Sequence, residues 1–229
     1  CIGHNGLFLA TPLQTVQTLW RLLPTADFWH RVGFSALRIL TGFVLAVTVG
    51  LLLGACGARW RWFGTLVGPV MQLIRAMPVA SFVILALLWV SGKNLSVIVS
   101  FTHVLPVVYA GTVGGIADTD PALLEMAKVY RLPLGKRLRY IWLPGMFPSF
   151  CENCIAAMGM CWKSGVSAEV IGLPDHSVGD ALYRAKITIS TPEVFAWTLV
   201  IVLLSATLST LAAWALRRAK RALCGEVEG

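Results

Sequence analysis

Five apolar runs, each long enough to cross a bilayer and each bounded by a short charged segment, confine this chain to one broad architecture. They lie at about 34–56, 67–90, 95–117, 146–171 and 194–216. A helix needs roughly 20 apolar residues to traverse a hydrocarbon core about 30 Å thick. Inside that core every backbone N–H and C=O must be paired within the chain, so runs of this length are helices. Together with their connections they use up the 229 residues and leave no room for a separate soluble domain. Composition agrees: 13% of residues are charged, against about 25% in soluble domains. The formal charge of +8 does not point to nucleic acid, because the basic residues sit between the apolar runs and after the last one, which is a topology signal. The expected fold class is therefore all-α, a polytopic membrane helical bundle forming one domain over 1–229.

Residues 7–23 predict a short amphipathic helix on the membrane interface. Thr11 is a cap, Pro12 stands at the first helical position, and Leu13, Val16, Leu19, Trp20 and Leu23 recur at helical spacing. The 67–90 run contains Arg75 and then Met77-Pro78, where the proline bends or divides the helix. The 95–117 run carries His103 and Pro106. The 146–171 run is the most polar, with Glu152, Asn153, Lys163, Ser164, Ser167 and Glu169, and a run this polar turns away from lipid. The sequence begins at Cys1 rather than Met, so it is a processed chain or a piece of a longer one. Lipidation of Cys1 is disfavoured, because a second anchor is redundant in a chain that already spans many times. Cys151 and Cys154 form a C-x-x-C with no second pair or nearby histidine to complete a metal site, and are read as inert.

Arg217, Arg218, Lys220 and Arg221 follow the last run and place the C-terminus in the cytoplasm. Counting back, the N-terminal segment is outside, Arg59 and Arg61 inside, Lys93 outside, 118–145 inside and 173–193 outside. The 118–145 segment is too polar to span and too patterned for a linker. Asp120 can cap a helix started by Pro121 and running to about Tyr130. A second short helix is expected around residues 136–142, stopped by Pro144.

In this segment the chain resembles the permease subunits of ABC importers. Their cytoplasmic loop follows E-A-A, three residues, G, nine residues, I, one residue, L-P. Glu125, Ala127, Ile141, Leu143 and Pro144 fall on that pattern, whereas Met126 replaces the middle alanine and Arg131 the glycine. Without glycine's freedom at Arg131, the bend is expected slightly later, moved by Pro133. The resemblance covers most of the chain and is closest to the nitrate/sulfonate/taurine-type permeases, with Arg75-Ala76-Met77-Pro78 matching an Arg-x-x-Pro stretch of theirs. Such permeases usually have six spans, so the resemblance implies one span before Cys1, or a remnant of it in residues 1–10.

What the resemblance implies is a type I importer-like permease that passes a small solute from an extracellular binding protein. The implied partners are two cytoplasmic ATPase subunits, the binding protein, a second copy of the chain in a homodimer, and membrane lipid, with no nucleic acid. Glu125, Ala127, Arg131, Ile141, Leu143 and Pro144 would couple the loop to the ATPase. Pro78, His103, Lys163 and Glu169 are candidates for the translocation pathway. ATP and Mg would be used by the partner and not by this chain, which carries no G-x-x-x-x-G-K-[ST] and no other catalytic motif. The alternative is a secondary transporter or channel in which His103, Lys163 and Glu169 form an ion path.

Overall fold

The computed structural model describes residues 10–224, so the expectation of a span remnant in residues 1–10 lies, but for Ala10, outside it. Among the described residues the chain forms ten α-helices and one π-helical turn, with no strand. Three helices are long and apolar enough to cross a membrane: α2 (Ala26–Arg59), α5 (Gly92–Ala117) and α10, whose apolar part is Thr191–Arg218. The helix α10 itself continues to Cys224. Two shorter helices, α3 (Arg61–Ala76) and α4 (Val79–Ala86), are long and apolar enough only when taken together, and they meet at a 99° bend, as in a broken span or a re-entrant loop. The helix α8 (Leu143–Gly172) is as long as these but too polar for the same test.

The first local expectation is met in detail. The helix α1 (Pro12–Leu22) begins with a capping box in which the Thr11 hydroxyl accepts from the Gln14 N–H and the Gln14 side chain accepts from the Thr11 N–H. These bonds satisfy donors that a helix start otherwise leaves open. Leu13, Val16 and Trp20 stand exposed on one side, and no residue of α1 is buried.

In the second apolar run the division, not the bend, is what Pro78 produces: it separates two helices and is the N-cap of α4, in extended conformation, with no side-chain cap. Proline disfavours helical backbone in the residue before it, so Met77 cannot continue α3. Pro106 and Pro148, by contrast, lie inside α5 and α8.

The chain divides into two compact units. One comprises Cys1–Phe43, Met77–Phe101 and Cys161–Thr207; the other comprises Val44–Ala76, Thr102–Met160 and Leu208–Gly229. In the first, Phe28 stacks on Trp197 at 5.3 Å, and the Trp162 indole N–H donates to the Ile201 carbonyl at 3.0 Å. Val83, Ala86, Leu95, Val99 and Ala168 form an apolar cluster in the same unit. In the second, small residues let helices approach closely: a methyl on Gly54 would fall 2.6 Å from Thr112 Cβ, and one on Gly111 would fall 2.7 Å from Asn153 Cβ. Lipid is as apolar as leucine, so close backbone approach and hydrogen bonds replace the hydrophobic effect as the source of helix association.

The 173–193 segment, expected as a loop, contains a helix, α9 (Val178–Ile187). Its start is legible in hindsight: the Ser177 hydroxyl accepts from the Asp180 N–H at 2.9 Å, a Ser-x-x-Asp cap. Ser177 is wholly buried, so it cannot report on the aqueous face of this segment as an exposed loop residue would.

Candidate functional site

The 118–145 segment is built from its caps inward. Helix α6 (Pro121–Val129) is started by Asp120, whose carboxylate accepts from the Ala122 N–H at 2.8 Å, as its sequence predicts. Its end corrects the expected position of the bend. Arg131 itself takes the left-handed conformation, with φ 48°. The Leu132 N–H donates to the Ala127 carbonyl at 3.0 Å and the Arg131 N–H to the Lys128 carbonyl at 3.1 Å. This is a Schellman ending, which normally uses glycine at the left-handed position. An arginine there carries a cost of about 1–2 kcal/mol. The bend thus stays where the glycine of the loop pattern would put it, and Pro133 does not displace it.

The second part of the segment also differs from expectation. Helix α7 (Leu134–Arg137) runs into a π-helical turn, Leu138–Trp142, and then directly into α8. Pro144 therefore stops nothing. At the turn the Leu143 N–H bonds back to the Leu138 carbonyl, five residues earlier. The wider turn takes the Tyr140 carbonyl off the position that the Pro144 ring would strike in a regular α-helix.

One side chain ties the two halves of the segment together: Arg137 Nη2 donates to the Ala127 carbonyl at 3.0 Å, ten residues away in sequence. Ala127 is wholly buried and Ile141 nearly so, whereas Glu125, Met126, Val129 and Tyr130 point outward, Val129 being 79% exposed. The Ala127 methyl is therefore packed within the segment of its own chain. Leu143 is half-buried and Arg131 exposed.

The four pathway candidates scatter. Pro78 is exposed at the α3–α4 break, and His103 is half-buried on α5. On α8, Lys163 is exposed and Glu169 is entirely buried, so the two do not share a surface. Glu169 belongs to an internal network. Its Oε2 accepts from the Ser35 hydroxyl at 2.6 Å and from the Gly179 N–H at 3.4 Å, while the Ser35 oxygen accepts from the Val178 N–H at 2.9 Å. The first turn of α9 is thereby held to α8 and α2, and a side chain at Gly179 would collide with the backbone of Glu169 and Val170. Arg38, whose guanidinium lies 3.9 Å from the centre of the Phe34 ring, supplies opposite charge nearby. Farther along α9, Asp180 accepts from Arg31 at 3.1 Å and from Arg184 at 2.9 Å. Sequence reasoning missed Ser35, Asp180 and Arg31, whose pairings join residues 134 apart (Ser35 and Glu169) and 149 apart (Arg31 and Asp180). Cys151 and Cys154 are both buried.

A bundle of long apolar helices, one of them broken by proline, with a capped and pinned helical segment between α5 and α8, defines a polytopic transport permease. The chain belongs to the family of binding-protein-dependent transport system inner membrane components, whose model matches residues 35–223. Among curated proteins it is similar to a putative aliphatic sulfonates transport permease protein of Bacillus subtilis (strain 168), with 25% identity covering 84% of this chain and 70% of the relative. The taurine transport system permease protein of Escherichia coli (strain K12) is 23% identical over 98% of this chain and 83% of its own length. The nitrate import permease protein of Synechococcus elongatus is 24% identical over 90% of this chain and 78% of its own. The fold is shared with the inward-facing MetNI methionine ABC transporter, at TM-score 0.59 and 15% identity over 90% of this chain and 98% of that one. It is shared also with an amino acid ABC transporter, at TM-score 0.58 and 18% identity over 92% and 100%. The protein is accordingly a multi-pass membrane permease subunit of an ABC importer of the nitrate/sulfonate/taurine type, and such importers work with ATPase and solute-binding subunits. This decides between the two transport readings that the sequence left open.

Proposed function

We propose that this permease acts as a homodimer that imports a small anion, with the 120–144 segment as the point where ATP binding in a partner subunit drives the membrane helices. The anionic class is supported by the sulfonate and nitrate relatives, and the taurine relative agrees in the sulfonate group, since taurine itself is a zwitterion. The observation that carries the coupling role is the outward face of α6: Met126, Val129 and Tyr130 stand exposed beside Glu125 on a helix fixed at both ends. Apolar side chains held rigidly on a short exposed helix serve no purpose in the isolated chain, and a groove of a partner protein accounts for them. Arg131, Ile141, Leu143 and Pro144 contribute by shaping the segment.

In this reading five crossings place the C-terminus in the cytoplasm, with Arg59, Arg61 and the coupling segment on the same side and α9 outside. Broken pair α3–α4 and polar α8 count as crossings, with the break at Pro78 and the polar groups of α8 turned to protein or a water-filled route and not to lipid. Pro78, His103 and Lys163 are assigned to that route, whereas Glu169 is assigned to holding α9. The chain itself binds no cofactor, and ATP and Mg are used by the partner.

The test is co-purification with the partner ATPase. Val129→Glu or Tyr130→Glu is expected to reduce recovered ATPase at least tenfold while leaving the amount of membrane-inserted permease unchanged. Full ATPase recovery with both variants removes α6 from the interface.

A further inference from the structure

A cavity of about 270 Å³ lies between α3 and α5. Met71, Gln72 and Arg75 reach it from α3, and Pro106, Tyr109 and Val113 from α5, each set spaced so as to share one helix face. Its α5 side is apolar apart from Tyr109, a buried residue that carries a phenol hydroxyl. On the α3 side its polar groups are the Gln72 amide and the Arg75 guanidinium, both on exposed residues. No carboxylate among the described residues forms an ion pair with Arg75.

Arg75 also stands in the last turn of α3, at the far end from the tryptophans that flank its start. Helix α3 starts at Arg61, between the exposed indoles of Trp60 and Trp62, which is the pattern of an interface anchor. Fourteen residues of helix at 1.5 Å each put Arg75 about 21 Å farther along the helix axis, one residue before α3 ends at the 99° break that leads into α4. An arginine facing a cavity at such a break without an acidic partner needs an anion or water, and ionisable groups within membrane segments mark solute routes. The cavity is slightly smaller than the roughly 300–1,000 Å³ of sites for drug-sized molecules.

We propose that this cavity is a solute subsite on the permeation route. It holds a small organic anion such as an alkyl sulfonate, with Arg75 gripping the oxyanion, Gln72 donating a second hydrogen bond, and Met71, Pro106 and Val113 covering the alkyl part. Guanidinium suits this task because its planar fork matches oxyanions in a bidentate way that an ammonium cannot. The inference rests on the import reading above and adds the place where the solute is held.

Two measurements test it. In the first, the permease in phosphatidylcholine nanodiscs is treated with phenylglyoxal, and modification of Arg75 and Arg61 is followed by peptide mass spectrometry. Ethanesulfonate at tens of millimolar is expected to slow modification of Arg75 at least fivefold and to leave Arg61 unaffected, while the neutral analogue isopropanol protects neither. Equal protection of both arginines, or of neither, overturns the subsite. Protection that appears only when phosphatidylglycerol replaces phosphatidylcholine, without added sulfonate, assigns Arg75 to lipid phosphate and overturns it as well. In the second, uptake of labelled ethanesulfonate, taurine and nitrate is measured in the full importer with its ATPase and binding protein. Gly68 lies on the same face, and a Cβ there meets nothing within 4 Å, so Gly68→Leu fills the cavity without straining the backbone. Both R75Q and G68L are expected to lower uptake of the transported anion at least tenfold in complexes recovered at normal yield, and wild-type uptake by both refutes the subsite. Loss of ATPase association by the unaltered permease would instead refute the import reading, and the protection experiment still decides the cavity.

Discussion

Removing the Glu169 carboxylate is the sharpest test of how this permease holds α9. In Glu169→Ala the Ser35 hydroxyl and the Gly179 N–H both lose their acceptor in a fully buried place. A buried donor left unpaired costs about 1–3 kcal/mol. The Ser35 contact is short, at 2.6 Å, and counts at the upper end, whereas the Gly179 contact, at 3.4 Å, counts at the lower end. Release from burying a carboxylate offsets part of the loss, leaving about 2–4 kcal/mol. For a chain of this size that corresponds to a Tm lower by roughly 5–10 °C. Glu169→Gln keeps an oxygen for Ser35 and gains an N–H on the side of the unpartnered Oε1, near Ser96. It loses only the attraction to Arg38, so its cost is expected below about 1.5 kcal/mol. The assay is thermal unfolding followed with a thiol-reactive dye, since Cys151, Cys154 and Cys161 are buried in the folded chain. Hydrogen exchange of the α9 amides provides a local readout, and it should accelerate in Ala and not in Gln. Equal Tm values for Ala and the unaltered chain, or a Gln variant as damaged as Ala, would refute the hydrogen-bond account.

Three further outcomes follow from the same geometry. Arg131→Gly relieves the left-handed residue at the end of α6 and is expected to stabilise the protein by about 1 kcal/mol, read as a Tm higher by a few degrees; a lower Tm would mean that the arginine side chain contributes more than its backbone costs. In a version lacking native cysteines, Ile189→Cys, at a position 65% exposed, should react with an impermeant maleimide from outside, and Ser177→Cys, wholly buried, should react only after unfolding; labelling of position 189 from the cytoplasmic side alone would invert the topology. Ala127→Trp forces a large side chain into a fully buried position and is expected to lower Tm by several degrees, a core overpacking cost of about 1–3 kcal/mol; an unchanged Tm would return Ala127 to the outward face.

How much of this was legible depended on whether the deciding interaction was local. The amphipathic α1 with its Thr11 cap, the Asp120 cap of α6, the break at Pro78 and the long apolar helices were all readable, because capping, proline sterics and hydropathy act within a few residues or along one segment. So was the class of protein, since the spacing from Glu125 to Pro144 is itself a sequence property. What the sequence could not announce was anything that pairs distant segments. Arg137 reaches the Ala127 carbonyl across a turn, and that turn exists because Arg131 accepts a conformation usually left to glycine. The π-helical turn that carries the chain past Pro144 depends on a helix register shared by α7 and α8. Glu169, read from sequence as a charge that must avoid lipid, was open to either a pathway or a structural role. Its partner Ser35 lies 134 residues away, and only the packing of α2, α8 and α9 within one unit brought hydroxyl, carboxylate and helix N-terminus together. Periodicity says which face of a helix is polar. The partner that satisfies that face in a water-free interior is a tertiary decision, because an unpaired polar group there costs more than any local preference can supply.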